Sequence, residues 1–515
     1  MYGSAALQAE QTTPLLPKNG VEAKGLPYCP NFIPRPSLHA GLRPPYAGIN
    51  FSQFCHFTAA TKSKGSAMET IVLVPGGGGS KLKLKSQEIW PPTLTEMAIG
   101  YQRITELQDS RVKATTVIDV YPPLSCYEVY KPLQDDLNTI AKHFTPAARR
   151  VDFAYDWRKD ITWSANQLAA KIASCVSSGS TSITLVAHSM GNLLARTILE
   201  SGDYSSKSWF DKITRYVGIC GPHAGVPEIL ECALGLKKWV SISPADIKTV
   251  SANPNYPSGY QCLPFDGYQV LLDVQVGPKD FYDPAVASDF DLNQQNLNAA
   301  KNLQSKLDFT RRPGGVRYTL IAGSQLQTDE KVEYNGSTYE DTPTDDLGDS
   351  TVPLWSSAPV QLNPRVTPGD HVGILKSYPF REILYEVLTN GTLVPQLSLV
   401  EQPGTTLSLN DFIFAAHEPI ELLIIPDLRT QEISGTLQIT RVVDTKGRKF
   451  VRYQEYPVVY RGPQIRFIRS TISAPADPGA YRVTFIGSHG TSHRTATGFI
   501  VSRVSTRRAT LNKPR

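Results

Sequence analysis

Ala187-His188-Ser189-Met190-Gly191 sets a serine between small residues, directly after the apolar run 183–187 (ITLVA) and before an amphipathic stretch at 193–200. A strand, a sharp turn and a helix in that order form the nucleophile elbow of G-x-S-x-G type, here with alanine replacing the first glycine. Small flanking residues are required because the turn that exposes the hydroxyl also brings the strand and helix backbones close together. A serine hydroxyl is a weak nucleophile at neutral pH and needs a histidine base, which in turn needs a carboxylate to hold its tautomer. In α/β-hydrolases the chain order is serine, acid, histidine. His371, in Gly369-Asp370-His371-Val372-Gly373, is therefore assigned as the base, since His417, His489 and His493 fall in a β-rich C-terminal stretch. The acid is assigned to Asp349, in Gly348-Asp349-Ser350-Thr351-Val352-Pro353, with Asp345, Asp346 and Asp370 as rivals. His188 reads as a packing and hydrogen-bonding residue, because neighbours in an elbow point apart.

Acyl transfer also requires backbone donors aimed at the oxyanion. Met190, following the serine, supplies one, and Pro75-Gly76-Gly77-Gly78-Gly79-Ser80 supplies the other, with Gly77 the preferred donor. A phosphate loop would need glycine followed by Lys-Ser or Lys-Thr, whereas Ser80 precedes Lys81. This chemistry calls for no metal and no organic cofactor.

The elements that would position these groups are short apolar runs at 71–74, 183–187, 216–220 and 316–322, alternating with amphipathic stretches at 166–174 and 193–200. Continuous apolar strands separated by helices predict an α/β fold with a mostly parallel sheet. Residues 1–69 are rich in proline and read as an extended arm, and 70–391 as the α/β unit. From 392 to 505 the pattern changes to dense strand signals at 420–425, 435–443, 450–456, 464–469, 481–486 and 498–504. These predict an all-β sandwich. Asp477-Pro478-Gly479-Ala480-Tyr481 resembles the tyrosine corner of immunoglobulin-like domains. That region is expected to be separable and to have no part in catalysis, and 506–515 to be a solvated basic tail.

With 41% hydrophobic and 19% charged residues and a net charge of +5, the 515-residue chain is globular and carries no field that implies nucleic acid. Seven cysteines, all before residue 263 and without CxxC spacing, argue against a zinc site or a disulfide framework. No signal-like N-terminus and no apolar run of about 18 residues is visible, so the expected location is cytoplasmic, with signal-independent export left open.

Together, Val74-Pro75-Gly76-Gly77, Tyr155-Asp156-Trp157-Arg158, the elbow, Gly348-Asp349-Ser350-Thr351-Val352-Pro353 and Asp370-His371-Val372-Gly373-Ile374-Leu375 resemble the lecithin:cholesterol acyltransferase family, which includes lysosomal phospholipase A and phospholipid:diacylglycerol acyltransferases. The resemblance spans residues 70 to 390. It implies an α/β-hydrolase with a cap inserted at about 225–310, in which Trp239, Tyr256, Tyr260, Tyr268 and Phe281 either fill the cap core or meet lipid. It also implies substrate-facing roles for Trp157 and for Trp90, the latter in an apolar interfacial segment. The implied activity is lipid acyl hydrolysis or O-acyl transfer through an acyl-enzyme on Ser189, with a lipid ester, an acceptor alcohol and transient membrane contact as partners. A general carboxylesterase, or an inactive scaffold carrying a β-sandwich binding module, are the alternatives.

Overall fold

The computed structural model describes residues 7–8, 68–121, 127–336, 338–343, 347–396, 404–443, 449–487 and 494–503. Most of the proline-rich arm, Asp345, Asp346, His489, His493 and the 506–515 tail lie outside the described residues.

Six strands build the central sheet: β1 (Met68–Val74), β2 (Arg149–Asp152), β3 (Ser180–His188), β4 (Ile213–Ile219), β5 (Arg317–Ser324) and β6 (Arg365–Pro368). They run parallel in the order β6-β5-β4-β3-β1-β2. Ile71, Val72, Leu73 and Val74 are all buried, as are Ile183, Leu185, Val186 and Ala187. Unbroken apolar runs of this kind arise where both faces of a parallel sheet are covered.

Two helices flank the elbow strand. In α1 (Ile161–Ser177), Asp160 caps the N-terminus by accepting from the Thr162 and Trp163 amides at 2.7 and 3.0 Å. In α2 (Gly191–Glu200) all ten residues are buried, so its two charges must neutralise each other inside the protein. They do so through Arg196 Nη2 and Glu200 Oε2 at 2.8 Å, with the His223 carbonyl accepting from Arg196 Nη1 and the guanidinium lying 3.7 Å from the Phe309 ring centre.

The cap contributes α3 (Pro227–Leu234) and α4 (Pro244–Ser251) and has a core of its own, in which Leu230, Leu234, Tyr260, Phe281 and Leu297 pack with Val332. Val332 comes from beyond residue 310. The small cap sheet pairs Leu271–Asp273 with Asp329–Tyr334, so the chain after β5 returns to complete the insertion. The final helix of the α/β layer is α5 (Tyr378–Thr389).

Eight further strands follow: β7 (Thr405–Leu409), β8 (Ile413–Ala415), β9 (Pro419–Pro426), β10 (Thr430–Val442), β11 (Phe450–Ile465), β12 (Ile468–Ser473), β13 (Gly479–Gly487) and β14 (Arg494–Ser502). One sheet orders Leu7–Gln8, β12, β9 and β7, and the other β8, β14, β13, β10 and β11. The 464–469 run expected as one strand is broken at Arg466 and Phe467, between β11 and β12. Leu422, Ile424, Leu437, Tyr481 and Phe499, from both sheets, share one core. The alternate residues of β9, Leu423 and Ile425, turn the other way and pack on Leu326. Ile413, Ala480 and Ile500 likewise join the main core of the α/β layer. The β-rich region thus buries apolar faces against the α/β layer as well as between its own sheets.

Candidate active site

Ser189 sits between β3 and α2 with φ at +53°, a conformation that costs a non-glycine residue free energy and that projects its side chain out of the turn. Only small neighbours fit there. A Cβ at Gly191 would lie 2.5 Å from the Val74 carbonyl oxygen, and one at Gly76 would lie 2.6 Å from Ser189 Cβ. Asn192, the next residue of α2, locks the turn by donating to the Ser189 and Ile219 carbonyls while accepting from the Tyr216 hydroxyl.

His371 Nε2 lies 2.8 Å from Ser189 Oγ, and His371 Nδ1 lies 2.8 Å from Asp349 Oδ2. Asp349 is fully buried, and its second oxygen accepts from the Thr351 and Val352 amides at 3.0 and 2.7 Å. Burial opposes the charged form of Asp349, but the adjacent His371 and these hydrogen bonds outweigh it and hold the carboxyl below its ordinary value. Burial likewise opposes the imidazolium of His371, and Asp349 outweighs that, raising the ring above its ordinary value. The network assigns the Nδ1–H tautomer to His371, leaving Nε2 free to accept the serine proton.

Asp370, a rival for the acid, is engaged elsewhere. One of its oxygens accepts from the Val372 and Gly373 amides, and the other accepts from the Ser408 hydroxyl.

His188 is hydrogen-bonded through both ring nitrogens. Its Nε2–H donates to the His371 carbonyl at 2.8 Å, and its Nδ1 accepts from the Tyr130 hydroxyl at 2.7 Å. That hydroxyl accepts in turn from the Gly76 amide at 2.7 Å. The glycine loop and the histidine loop are therefore joined through a neutral ring: burial, then the neighbouring His371, push His188 down to about 3. Tyr130 carries no local sequence signal for this role.

Gly76 has its amide committed to Tyr130, whereas Gly77 is exposed at the cleft, and a Cβ placed on it would lie 3.7 Å from Met190 Cε. Tyr155 fixes this loop by donating its hydroxyl to the Pro75 carbonyl at 2.9 Å. The Asp156 and Arg158 side chains pair with each other at 2.7 Å. His188, Cys220 and His371 offer donor atoms within 4.8 Å of one another. Both nitrogens of each histidine are already hydrogen-bonded, and burial pushes the Cys220 thiol well above its ordinary value, so this donor set does not suit a metal ion.

A cleft of about 350 Å³ opens over Ser189. Trp90, Trp157 and Trp239 form one wall, Trp90 and Trp239 stacked at 5.2 Å and 7°. The family resemblance places Trp90 in an apolar interfacial segment with a substrate-facing role. In the structure it is fully buried, its ring packed against the other two indoles and Tyr101, and its Nε1–H donates to the Gly78 carbonyl at 2.7 Å. Of the cap aromatics, Trp239 and Tyr256 line the cleft, Tyr260 and Phe281 fill the cap core, and Tyr268 stacks on Trp355. The cleft also reaches Leu409, Asn410, Asp411, Phe412 and Thr497, residues of the β-rich region that the sequence kept apart from the site. A strand pattern reveals that a sheet will form and not what its loops will face.

A comparison with curated protein sequences found no match. Among solved structures, the chain is similar to an uncharacterized protein from Bacillus anthracis at 12% identity, covering 18% of this chain and 76% of that one, with a TM-score of 0.14. The sporulation control protein Spo0M from Bacillus subtilis matches at 13% identity over 20% of this chain and 50% of its own, with a TM-score of 0.16. A cycloisomaltooligosaccharide glucanotransferase from Paenibacillus matches at 18% identity over 20% and 14%, with a TM-score of 0.14. Scores this low assign neither fold nor function. The family model for lecithin:cholesterol acyltransferase matches residues 95–310, which contain Trp157 and Ser189 and end before Asp349 and His371. Residues 95–310 of this chain are thus similar to the lecithin:cholesterol acyltransferase family.

Proposed function

We propose that this protein is a serine-dependent lipid acyl hydrolase or O-acyltransferase. The observation that carries the reading is the Ser189, His371 and Asp349 series, linked by two hydrogen bonds of 2.8 Å at the floor of an aromatic-lined cleft. The match of residues 95–310 to that family supports acyl chemistry on lipid esters. Ser189 Oγ attacks the ester carbonyl carbon while its proton passes to His371 Nε2, and Asp349 stabilises the imidazolium. The amides of Gly77 and Met190 donate hydrogen bonds to the oxyanion. When the tetrahedral species collapses, the C–O bond to the alcohol breaks and His371 returns the proton to that alcohol, leaving the acyl group on Ser189. Water or a second alcohol then attacks the acyl-enzyme, giving a free acid or a new ester. Trp90 and Trp157 wall the cleft where the apolar part of the substrate would lie.

The substrate is reached by transient contact with a lipid surface. Among the described residues, no helix is long and apolar enough to cross a membrane. The two-sheet region beginning near residue 392 is read as an immunoglobulin-like sandwich, on the strength of the Tyr481 hydroxyl donating to the Asp477 carbonyl at 2.7 Å.

The test is a panel of phospholipids, triglycerides and short acyl esters, each scored for released acid and for acyl transfer, with wild type and Ser189→Ala side by side. Lipid turnover lost in Ser189→Ala is the expected result. Turnover of short esters alone would favour a general carboxylesterase, and lipid turnover unchanged in a folded Ser189→Ala protein would sink the mechanism.

A further inference from the structure

We infer that Phe412, in the loop joining β7 to β8, sets the width of the substrate cleft, so that the β-rich region takes part in substrate selection. This rests on the reading of the cleft over Ser189 as the substrate site. Phe412 is partly exposed and lines the cleft, with its ring stacked on Tyr127 at 4.8 Å and 25° and set against Tyr121 at 5.5 Å. The loop that carries it is held on every side. Asn410 exchanges hydrogen bonds with Glu421 of β9, its amide donating to the Glu421 carbonyl at 3.0 Å and its Oδ1 accepting from the Glu421 amide at 2.9 Å. Asp411 accepts from the Phe412 and Ile413 amides. From the cap, buried Lys238 reaches across to the Ile413 carbonyl and to Asp411. A ring on a loop tied at both ends and clamped from the cap is a fixed wall, since moving it requires breaking several partly buried hydrogen bonds together.

The same region also touches the histidine loop. Ser408, at the end of β7, accepts from the Asp370 amide at 2.6 Å and donates to the Asp370 carboxylate, one residue before His371. The wall and the base are therefore positioned by one short stretch of chain, residues 408–412. These residues lie wholly outside the part of the chain that matches the family, so the cleft combines the matched segment that carries Ser189 with a wall that the match does not cover.

The experiment compares kcat/KM for a series of p-nitrophenyl esters from acetyl to palmitoyl, and for palmitoyl esters of small and bulky alcohols, in wild type, Phe412→Ala, Phe412→Leu and Phe412→Tyr. Removing the ring should change the bulky-to-small ratio by about tenfold or more, the range in which pocket size discriminates between substrates. Phe412→Tyr should restore the wild-type ratio, and Val459→Ala, on an exposed strand position of β11, should leave it unchanged. If Phe412→Ala does not fold, Phe412→Leu gives the same readout. In a Ser189→Ala background, binding of a fluorescent long-chain fatty alcohol reads the wall without turnover, and Phe412→Ala should shift its affinity by a similar factor. A shift in binding with no Ser189-dependent hydrolysis in wild type would refute the acyl-enzyme reading and leave the wall standing. Ser189-dependent hydrolysis with neither the ratio nor the affinity moved would overturn the role given to Phe412.

Discussion

Asp349→Asn changes one oxygen to an amide nitrogen, and the surroundings decide which one. Asp349 Oδ1 accepts from two backbone amides, those of Thr351 and Val352. In the variant that position must stay an oxygen, because turning the amide round would set its NH₂ against two buried donors. Losing two such hydrogen bonds costs about 2–6 kcal/mol. The NH₂ is therefore left facing His371 Nδ1, where the carboxylate accepted at 2.8 Å. Nδ1 must then accept, the ring proton moves to Nε2, and the nitrogen 2.8 Å from Ser189 Oγ becomes a donor that cannot take the serine proton. Loss of the correct tautomer in a triad of this kind lowers turnover by about 10⁴-fold, or ~5.5 kcal/mol of transition-state stabilisation. The assay is kcat on a short soluble ester, with Ser189→Ala as background and circular dichroism to verify folding. A folded Asp349→Asn protein within tenfold of wild type would refute this reasoning.

Because His371 is raised above 6.5 and must be neutral to act as base, kcat/KM should rise with pH through a value above 6.5; His188, neutral down to about 3, should add no inflection in that range, and an acid limb centred below 6.5 would contradict the assignment. Tyr130→Phe removes the hydroxyl shared by Gly76 and His188, and should lower kcat more than it raises KM, because the loop that carries Gly77 loses its tie to the histidine loop; an unchanged kcat would show that the bridge is only packing. Glu200→Gln leaves Arg196 buried without its counter-charge and should destabilise the fold by about 3–5 kcal/mol in denaturant melts, whereas a change under 1 kcal/mol would mean that the pair is relaxed by solvent.

The site was readable where its signals are local. Ser189 announces itself through an apolar run, small neighbours and a following helix within about twenty residues. His371 and Asp349 were reached by chain order and by motif. Tyr130 could not be found this way, because it lies 58 residues before His188 and nothing in its neighbourhood distinguishes it from any core tyrosine. Trp90 followed a different course: its motif context suggested an interface, but two other indoles bury it, and only the folded chain brings Trp157 and Trp239 to it. The β-rich region was visible as strands, and the run Leu422-Leu423-Ile424-Ile425 carried a further hint. Four consecutive apolar residues in a strand require burial on both faces. The sequence does not say which surface covers the second face, and that surface, around Leu326, belongs to the α/β layer. The break between β11 and β12 was missed because Ile465 and Phe467 preserve alternation across it while their backbones part.

The central claim is that a covalent acyl group passes through Ser189. Rapid acid quench of the protein during turnover of a slowly hydrolysed acyl ester, followed by peptide mass spectrometry, tests it directly. The account predicts one acyl group on the peptide containing Ser189, accumulating to a fraction of the enzyme and absent in Ser189→Ala. Turnover with Ser189 unmodified throughout, or an acyl group that forms on another residue and remains after Ser189→Ala, would contradict it.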